Sequence, residues 1–339
     1  MKSNINDVAK HAGVSIKTVS RVMNNEPSVR QTTRTKVMAS VAELNYQPSS
    51  AARNLAATKS YNIAYIYDNP NAYYVIDMQN GILSQCRKQG FELLIHPCNA
   101  KDKGIVEQLI TMTRHGQLAG VVLTPPFSEM PQLIAELHKH DVKFVRVLSG
   151  NKKPDDIAPC VMVDDHQAAF NITQHLIELG HRDIAFISGG KEHKSTFERL
   201  AGFKDALLEH GIKLHSEYVV DGEYSFDSGV QGAQKLLKLE RQPSAIFSCN
   251  DEIAAGALFA ARLLHIAIPE RLSIVGFENS PFSRQTWPKL TTANQPNISI
   301  AQRAAELLIA DIRGQLSENP QCVFTPELIT RESSGDTNL

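Results

Sequence analysis

Cysteine is scarce and scattered in this chain. Its five thiols, Cys86, Cys98, Cys160, Cys249 and Cys322, are odd in number and never stand in a C-x-x-C spacing, which argues against a disulfide framework or a zinc site. Long apolar runs are missing too: no stretch reaches the length of a membrane span, and the N-terminus lacks the basic-then-apolar pattern of a secretion signal. These absences predict a cytoplasmic protein with reduced thiols and no membrane partner. The triplets Asn171-Ile-Thr and Asn297-Ile-Ser are then chance matches to a glycosylation signal.

Catalytic signatures are absent as well. There is no G-x-x-x-x-G-K-[ST] loop, no G-x-G-x-x-G after a strand and no G-x-S-x-G elbow. His181-Arg182-Asp183 imitates a kinase triplet but runs straight into the apolar IAFIS, without the metal-binding asparagine that chemistry needs. The twelve histidines show no metal-ligand spacing. Neither an enzyme nor a bound metal or cofactor is expected.

What is present is a charge asymmetry hidden by a net charge of only −1. Residues 1 to 59 hold nine Lys or Arg against three acids, a net of +6, which leaves −7 on the remainder. A basic head on an acidic body is the pattern expected when one end meets phosphates and the other does not. Within that head, Asn4 can cap a helix with Asp7 at the reciprocal position, and Val8, Ala9 and Ala12 fall on one face. Gly13 can take the left-handed turn, Val14 plugs it, and Ser15 caps a second helix in which Val19, Val22 and Met23 point inward. Ile16, Lys17, Ser20 and Arg21 are left outside, a set suited to reading base edges in a major groove, with Ser15, Thr18, Thr33 and Arg34 placed for phosphates. A small three-helix unit without DNA binding is the plain alternative for this pattern, and the charge count weighs against it.

These residues resemble the LacI/GalR family of bacterial transcription regulators. The resemblance rests on DVAKHAGVSIKTVSRVMN and TRTKVMASVAELNYQPSSAARNLA, then on LGHRDIAFISG, ERLAGF, SIVGFEN and LTTANQP, so it runs from residue 4 to about 331. It implies a homodimer on a pseudo-palindromic operator in double-stranded DNA. Residues 1–46 are expected to form the helix-turn-helix headpiece and 47–60 a hinge helix and linker. The segment Ala51 to Ala57 is too short to be a stable helix alone. By resemblance Leu55, with Ala52 beside it, would enter the minor groove and wedge between base pairs; an ordinary linker is the alternative. Arg30 stands where relatives have a capping serine, so Thr32 or Thr33 is expected to cap the third helix. The chain ends in SSGDTNL without room for a tetramerising heptad helix, so a dimer is expected.

From Ile63 the pattern becomes short apolar runs between amphipathic helices: NIAYIY, FELLIH, AGVVLT, KFVRVL, CVMV, DIAFIS, SAIFSC and LSIVGF. This alternation predicts an α/β body with parallel sheets. At 339 residues and 42% hydrophobic content there is material for more than one core. The resemblance implies a two-lobed, periplasmic-binding-protein-like body over residues 61–335. Lobe one would span about 61–160 and 294–324, and lobe two about 161–293 and 325–335. Ligands in such sheets sit at the carboxyl ends of strands, here in the cleft between lobes.

Strand ends supply the candidate effector contacts. Tyr73 and Tyr74 follow the first strand, Arg146 lies near the end of the fourth, and Asn250 and Asp251 follow SAIFSC. By the family pattern Arg199, Asn250 and Glu278 bind effector hydroxyls and Tyr224 stacks on a sugar ring. Arg199 with Asp251 as a structural ion pair, and Tyr73 with Tyr74 as core packing, are the alternatives. Glu278 stands where the family usually has Asp, Leu148 and Ser149 where it has an acid and a base, and Arg146 where it has no charge; the last suggests an anionic sugar. His193 and Trp287 are candidates for the rim. The expected function is an effector-controlled transcription factor, a repressor of carbohydrate-utilisation genes governed by a sugar or sugar derivative. A catalytic doubly wound protein and an exported sugar-transport protein are the competing classes.

Overall fold

A computed structural model describes residues 3–23, 28–46, 60–116, 118–152, 154–317 and 322–337. The chain divides into two compact units, residues 1–61 and 62–339.

The first unit holds three helices, α1 (Ile5–Ala12), α2 (Ile16–Met23) and α3 (Gln31–Glu43). Local chemistry sets the first two. The Asn4 side chain accepts from the backbone of Asn6 and Asp7, and the Asp7 carboxylate accepts from the Asn4 N–H at 2.8 Å, a complete capping box. Gly13 turns the chain at φ 59°, and Val14 N–H donates back to the Ala9 carbonyl. Ser15 Oγ accepts from Thr18 N–H at 3.1 Å to start α2. Val8, Ala9, Ala12, Val19, Val22 and Val37 form the core, with Val14 and Met23 packed against it. Six small apolar side chains make a modest core, and that size makes the caps matter. The start of α3 differs from expectation: Arg30 itself occupies the cap position and no side chain caps this helix. Neither threonine takes the role because α3 begins one residue before Thr32.

The second unit contains two parallel sheets. The larger has strand order β11-β5-β4-β3-β1-β2, formed by β1 (Asn62–Tyr67), β2 (Glu92–Pro97), β3 (Leu118–Leu123), β4 (Phe144–Ser149), β5 (Cys160–Val163) and β11 (Cys322–Phe324), and every pairing is parallel. The smaller has order β7-β6-β8-β9, from β6 (Ile184–Ile187), β7 (Val219–Val220), β8 (Ala245–Ser248) and β9 (Ser273–Val275). All residues of β4, β5, β6 and β8 are buried, the signature of strands covered on both faces.

Helices α4 (Ala72–Gln89), α5 (Ile105–His115), α6 (Pro131–Lys139) and α12 (Asn297–Ile312) accompany the larger sheet. The smaller sheet carries α7 (Asp165–Glu178), α8 (Lys194–Glu209), α9 (Phe226–Leu236) and α10 (Asp251–Leu263); the short α11 (Pro281–Gln285) follows β9. Helices α9 and α10 touch through glycine: a Cβ on Gly229 would lie 2.0 Å from the Ile253 carbonyl oxygen.

The eight apolar runs are all strands, five in the larger sheet and three in the smaller. CVMV, at the boundary expected near residue 160, pairs with β4 from Arg146↔Cys160 to Ser149↔Val163 and so belongs to the first lobe. The chain leaves that lobe after β5, at Asp164. It returns beyond β10 (Thr292–Asn294), and leaves again through β12 (Glu327–Ile329), which pairs antiparallel with β10. The tail then rejoins the second lobe, where Ser333 Oγ donates to the Ile274 carbonyl and accepts from Thr291 N–H.

Candidate functional site

Two surfaces gather the expected functional residues, one in each unit. On the first, Ile16 is 49% exposed and Lys17 and Arg21 are exposed beside it, with Ser20 half-buried along the same helix. The other aliphatic residues of α2, Val19, Val22 and Met23, pack against the headpiece core. The hydroxyls of Ser15 and Thr18 share a hydrogen bond of 2.9 Å at the start of α2. Thr33 and Arg34 are half-buried, and Arg34 Nη1 donates to the Val22 carbonyl at 3.3 Å, tying α3 to the end of α2. Ala52 and Leu55 lie outside the described residues.

The second surface is the cleft at the carboxyl ends of the strands. A cavity of about 60 Å³ opens there, and Arg199 is its centre. Helix α8 carries this side chain, 3% exposed, beneath the ends of β5, β6 and β8. Its Nε donates to Asp165 at 2.8 Å, Nη1 to the Cys249 carbonyl at 2.7 Å and Nη2 to Gln295 at 3.2 Å. The guanidinium also lies 3.7 Å from the Phe277 ring centre. Burial alone would lower its affinity for the proton, but Asp165 and its other neighbours outweigh that and hold it firmly cationic.

Glu278 faces Arg199 from the loop after β9, with Oε1 3.6 Å from Nη1. Its backbone sits at φ 99°, a conformation rare for a side chain with a Cβ, and this aims the carboxylate across the cleft. There Oε2 accepts from Asn71 Nδ2 of the first lobe at 2.6 Å. Burial raises this carboxyl to about 7, with Arg199 pulling the other way. Ser149 Oγ donates to Asp165 at 2.6 Å, a second polar contact in the cleft.

Aromatic rings flank these groups. Tyr74 is buried against the cavity, and Tyr224 lines it with its hydroxyl 2.8 Å from that of Thr196. Burial pushes both phenols far above their ordinary range, so both stay protonated. His193 lies edge-on to Tyr224 at 5.4 Å and lines the same cavity; burial lowers its basicity, leaving a neutral ring.

Of the expected contacts, Tyr74, Arg199, Tyr224 and Glu278 meet here and four others do not. Tyr73 is 38% exposed outside the cavity and packs edge-on against Phe282. Arg146 points away: Nε donates to the Ser128 carbonyl and Nη1 to Asp155, both at 2.8 Å, so the anion-binding role suggested for it has no place in this cleft. Asn250, fully buried and not lining this cavity, caps α10 through Oδ1, which accepts from Ile253 N–H, while its Nδ2 has no partner among the described residues. Asp251, fully buried, accepts from Ser280 N–H and Thr292 Oγ1 at 2.6 Å each, and burial raises it to about 7. Asp165, not Asp251, is the ion-pair partner of Arg199. Trp287, expected at the rim, is 71% exposed and does not line the cavity.

Sequence reasoning missed Asp165, Asn71, Ser149 and Gln295 as cavity residues. Asp165, Asn71 and Gln295 stand within two residues of a helix start, where the polar VDD, NPN and ANQP turns were the only signal they left, and Ser149 is the last residue of β4. The set brings together one buried cation between two carboxyl groups, amides and hydroxyls around them, and tyrosine rings at the sides. Among the described residues no group of three or more His, Cys, Asp or Glu could hold a metal, and no helix is long and apolar enough to cross a membrane.

Comparison with known proteins finds relatives for both units of the chain. Residues 4–49 match the model for bacterial regulatory proteins of the lacI family, and residues 173–334 match a periplasmic binding protein-like domain. The catabolite control protein A of Priestia megaterium is 33% identical over 91% of this chain and 92% of its own. The HTH-type transcriptional repressor PurR of Erwinia tasmaniensis is 32% identical over 98% and 97%. Among solved structures, the Lac repressor dimer bound to operator and the anti-inducer ONPF superposes with a TM-score of 0.78 at 26% identity, covering 99% of this chain and 100% of that one. The transcriptional regulator CelR in complex with cellobiose gives 0.74 at 27% identity, covering 98% and 99%. With the lacI model matched at the N-terminus and relatives of more than 30% identity along nearly the whole chain, this chain belongs to the lacI family of bacterial regulatory proteins.

Proposed function

We propose that the protein is a cytoplasmic, homodimeric repressor of carbohydrate-utilisation genes whose operator affinity is set by a neutral sugar held in the cleft. The observation that carries the sugar reading is the state of Arg199. Its charge is already matched by Asp165, with Glu278 close behind, so an incoming anion would find no unspent cation and two acids. Neutral hydroxyls, in contrast, can replace the present contacts of Asn71, Glu278 and Ser149 one for one. This reading replaces the anionic sugar first suggested by Arg146. The cellobiose bound by the related CelR protein is of the same neutral class.

The cavity of about 60 Å³ beside Arg199 adjoins one of about 360 Å³ that shares Asn71, Tyr74, Glu278 and Gln295 with it, and the Asn71–Glu278 contact is common to both. Asn71–Glu278 joins the two lobes directly, and Lys194 Nζ, from α8, donates to the Ser149 carbonyl at 3.0 Å. A sugar that exchanges these contacts for its own would favour one lobe arrangement over another, and only that difference in affinity can shift DNA binding. Ile16, Lys17, Ser20 and Arg21 would read bases, with Ser15, Thr18, Thr33 and Arg34 placed to contact phosphates; Ala52 and Leu55 would serve the minor groove.

Calorimetry against neutral mono- and disaccharides, sugar phosphates, uronates and purine bases tests the effector class. The reading expects binding by a neutral sugar and its loss, by tenfold or more, in Arg199→Ala. Binding confined to phosphorylated sugars, uronates or purines would overturn it.

A further inference from the structure

Beside the cleft acid Glu278 stands a residue that does not line the cavity around Arg199. Asn279 is half-buried and sits at φ 52°, directly after Glu278 at φ 99°. Two successive residues on the left-handed side of backbone space, neither of them glycine, persist only where their surroundings hold them. The Asn279 amide supplies that hold. Its Oδ1 accepts from Arg331 Nη2 at 2.6 Å and from Arg284 Nη1 at 3.3 Å, and its Nδ2 donates to Asn294 Oδ1 at 3.0 Å. Its backbone N–H donates to Thr292 Oγ1 at 3.3 Å. Thr292 and Asn294 belong to β10, Arg331 lies two residues past β12, and Arg284 comes from α11. One side chain thus ties the turn that aims Glu278 to both segments by which the chain crosses between lobes. Asparagine suits the position, since it tolerates the left-handed conformation and offers a donor and an acceptor together.

We propose that Asn279 is the positioning residue of the cleft acid: it locks the Glu278 turn to the two crossing segments, so that the carboxylate keeps its place between Arg199 and Asn71 and moves with the lobe crossing. The proposal rests on the sugar reading for what Glu278 binds, but not for where Glu278 is held. The charged and titratable groups that face Glu278 are Arg199 of α8, Asp165 of α7, Asp251 of α10, Tyr74 of α4 and the Cys249 thiol, and Asn71 donates to it. Burial among them is what holds the carboxyl high, with Arg199 opposing. A Glu278 released from its turn would reach water and return toward the ordinary carboxylate range.

Carbon-13 NMR of the full-length protein with carboxyl-labelled glutamate reads this group directly and needs no sugar; the Glu278 signal is the one lost in Glu278→Gln. Asn279→Gly leaves the backbone conformation accessible and removes only the amide. The titration midpoint of Glu278 should then fall by about one pH unit or more. Arg331→Met removes the shortest bond to Asn279 and spares Asn279 itself. Loss of a cation alone raises a neighbouring carboxyl, so a fall in this variant too reports position and not charge. Asn279→Asp keeps the acceptor between the two guanidinium groups and should leave the midpoint at or above that of the wild type. A midpoint unmoved or raised in Asn279→Gly or in Arg331→Met, or lowered in Asn279→Asp, would overturn the proposal. Failure of the sugar reading shows in the calorimetric panel alone, so the two failures are told apart.

Discussion

Glu278 and Asp251 are buried acids held near neutrality, and that makes them sensitive to pH. Each carboxyl is raised by burial to about 7 in the folded protein, whereas in the unfolded chain it ionises at its ordinary, lower value. Between those two values the unfolded state has released protons that the folded state retains, so stability falls as pH rises through this window and levels off above it. Replacing Glu278 by Gln removes one of the two contributions. Urea unfolding at pH 5 and pH 8 should show the gap between the two conditions shrink by up to about 3 kcal/mol in Glu278→Gln. An unchanged gap would mean that this carboxyl is not held protonated.

The residue scale is also where the sequence was hardest to read. Arg199 and Glu278 stood out because the family resemblance places them at effector-binding positions. Arg146 looked equally promising and was not, since β4 is buried on both faces and offers no polar–apolar alternation to show which way a side chain points. Asn250 and Asp251 stand just past the end of β8, and Asn250 Oδ1 takes the commonest task for that position, capping the next helix.

Among the elements, α1 and α2 were legible almost to the residue because their limits are written in local chemistry: Asn4, Asp7, Gly13 and Ser15 each do what their side chains favour. The loss of one cap should be measurable. Asn4→Ala should cost the headpiece about 1 kcal/mol, seen as a lower melting point for headpiece amides by NMR, with sugar binding unchanged; an unaltered melting point would show that the capping box contributes nothing. Gly13→Val would place a β-branched residue at φ 59° and should cost more than Asn4→Ala. In the second lobe, Gly229→Ala forces a methyl against the Ile253 carbonyl and should destabilise the body by about 1–3 kcal/mol by pushing α9 off α10. Calorimetric melting at the wild-type temperature would show instead that the helices adjust freely. The strands β7, β10, β11 and β12 escaped the sequence reading because two or three residues are too few to show a period. The boundary expected near residue 160 falls a few residues later, after Val163, because a buried run identifies a strand without naming its neighbour.

For the whole molecule the charge division is the plainest statement the sequence makes. A head of +6 joined to a body of −7 predicts operator binding that weakens steeply with salt, and Lys17→Ala should lower affinity while flattening that dependence only if Lys17 meets a phosphate. If it reads a base, as proposed, the salt slope stays and discrimination at one operator position relaxes. Leu55→Ala should remove most specific affinity and leave sugar binding intact; near-normal operator affinity in that variant would count against the wedge.

The central claim, that a neutral sugar in the Arg199 cleft sets DNA affinity, is tested most directly on one sample. Operator duplexes selected by the purified protein from a randomised library would be titrated by fluorescence anisotropy with and without the sugar found by calorimetry, for the wild type and for Arg199→Ala. The account predicts a pseudo-palindromic site whose affinity changes at least fivefold with sugar in the wild type and not at all in Arg199→Ala. Operator binding that ignores every neutral sugar, or a sugar response that survives the loss of Arg199, would contradict it.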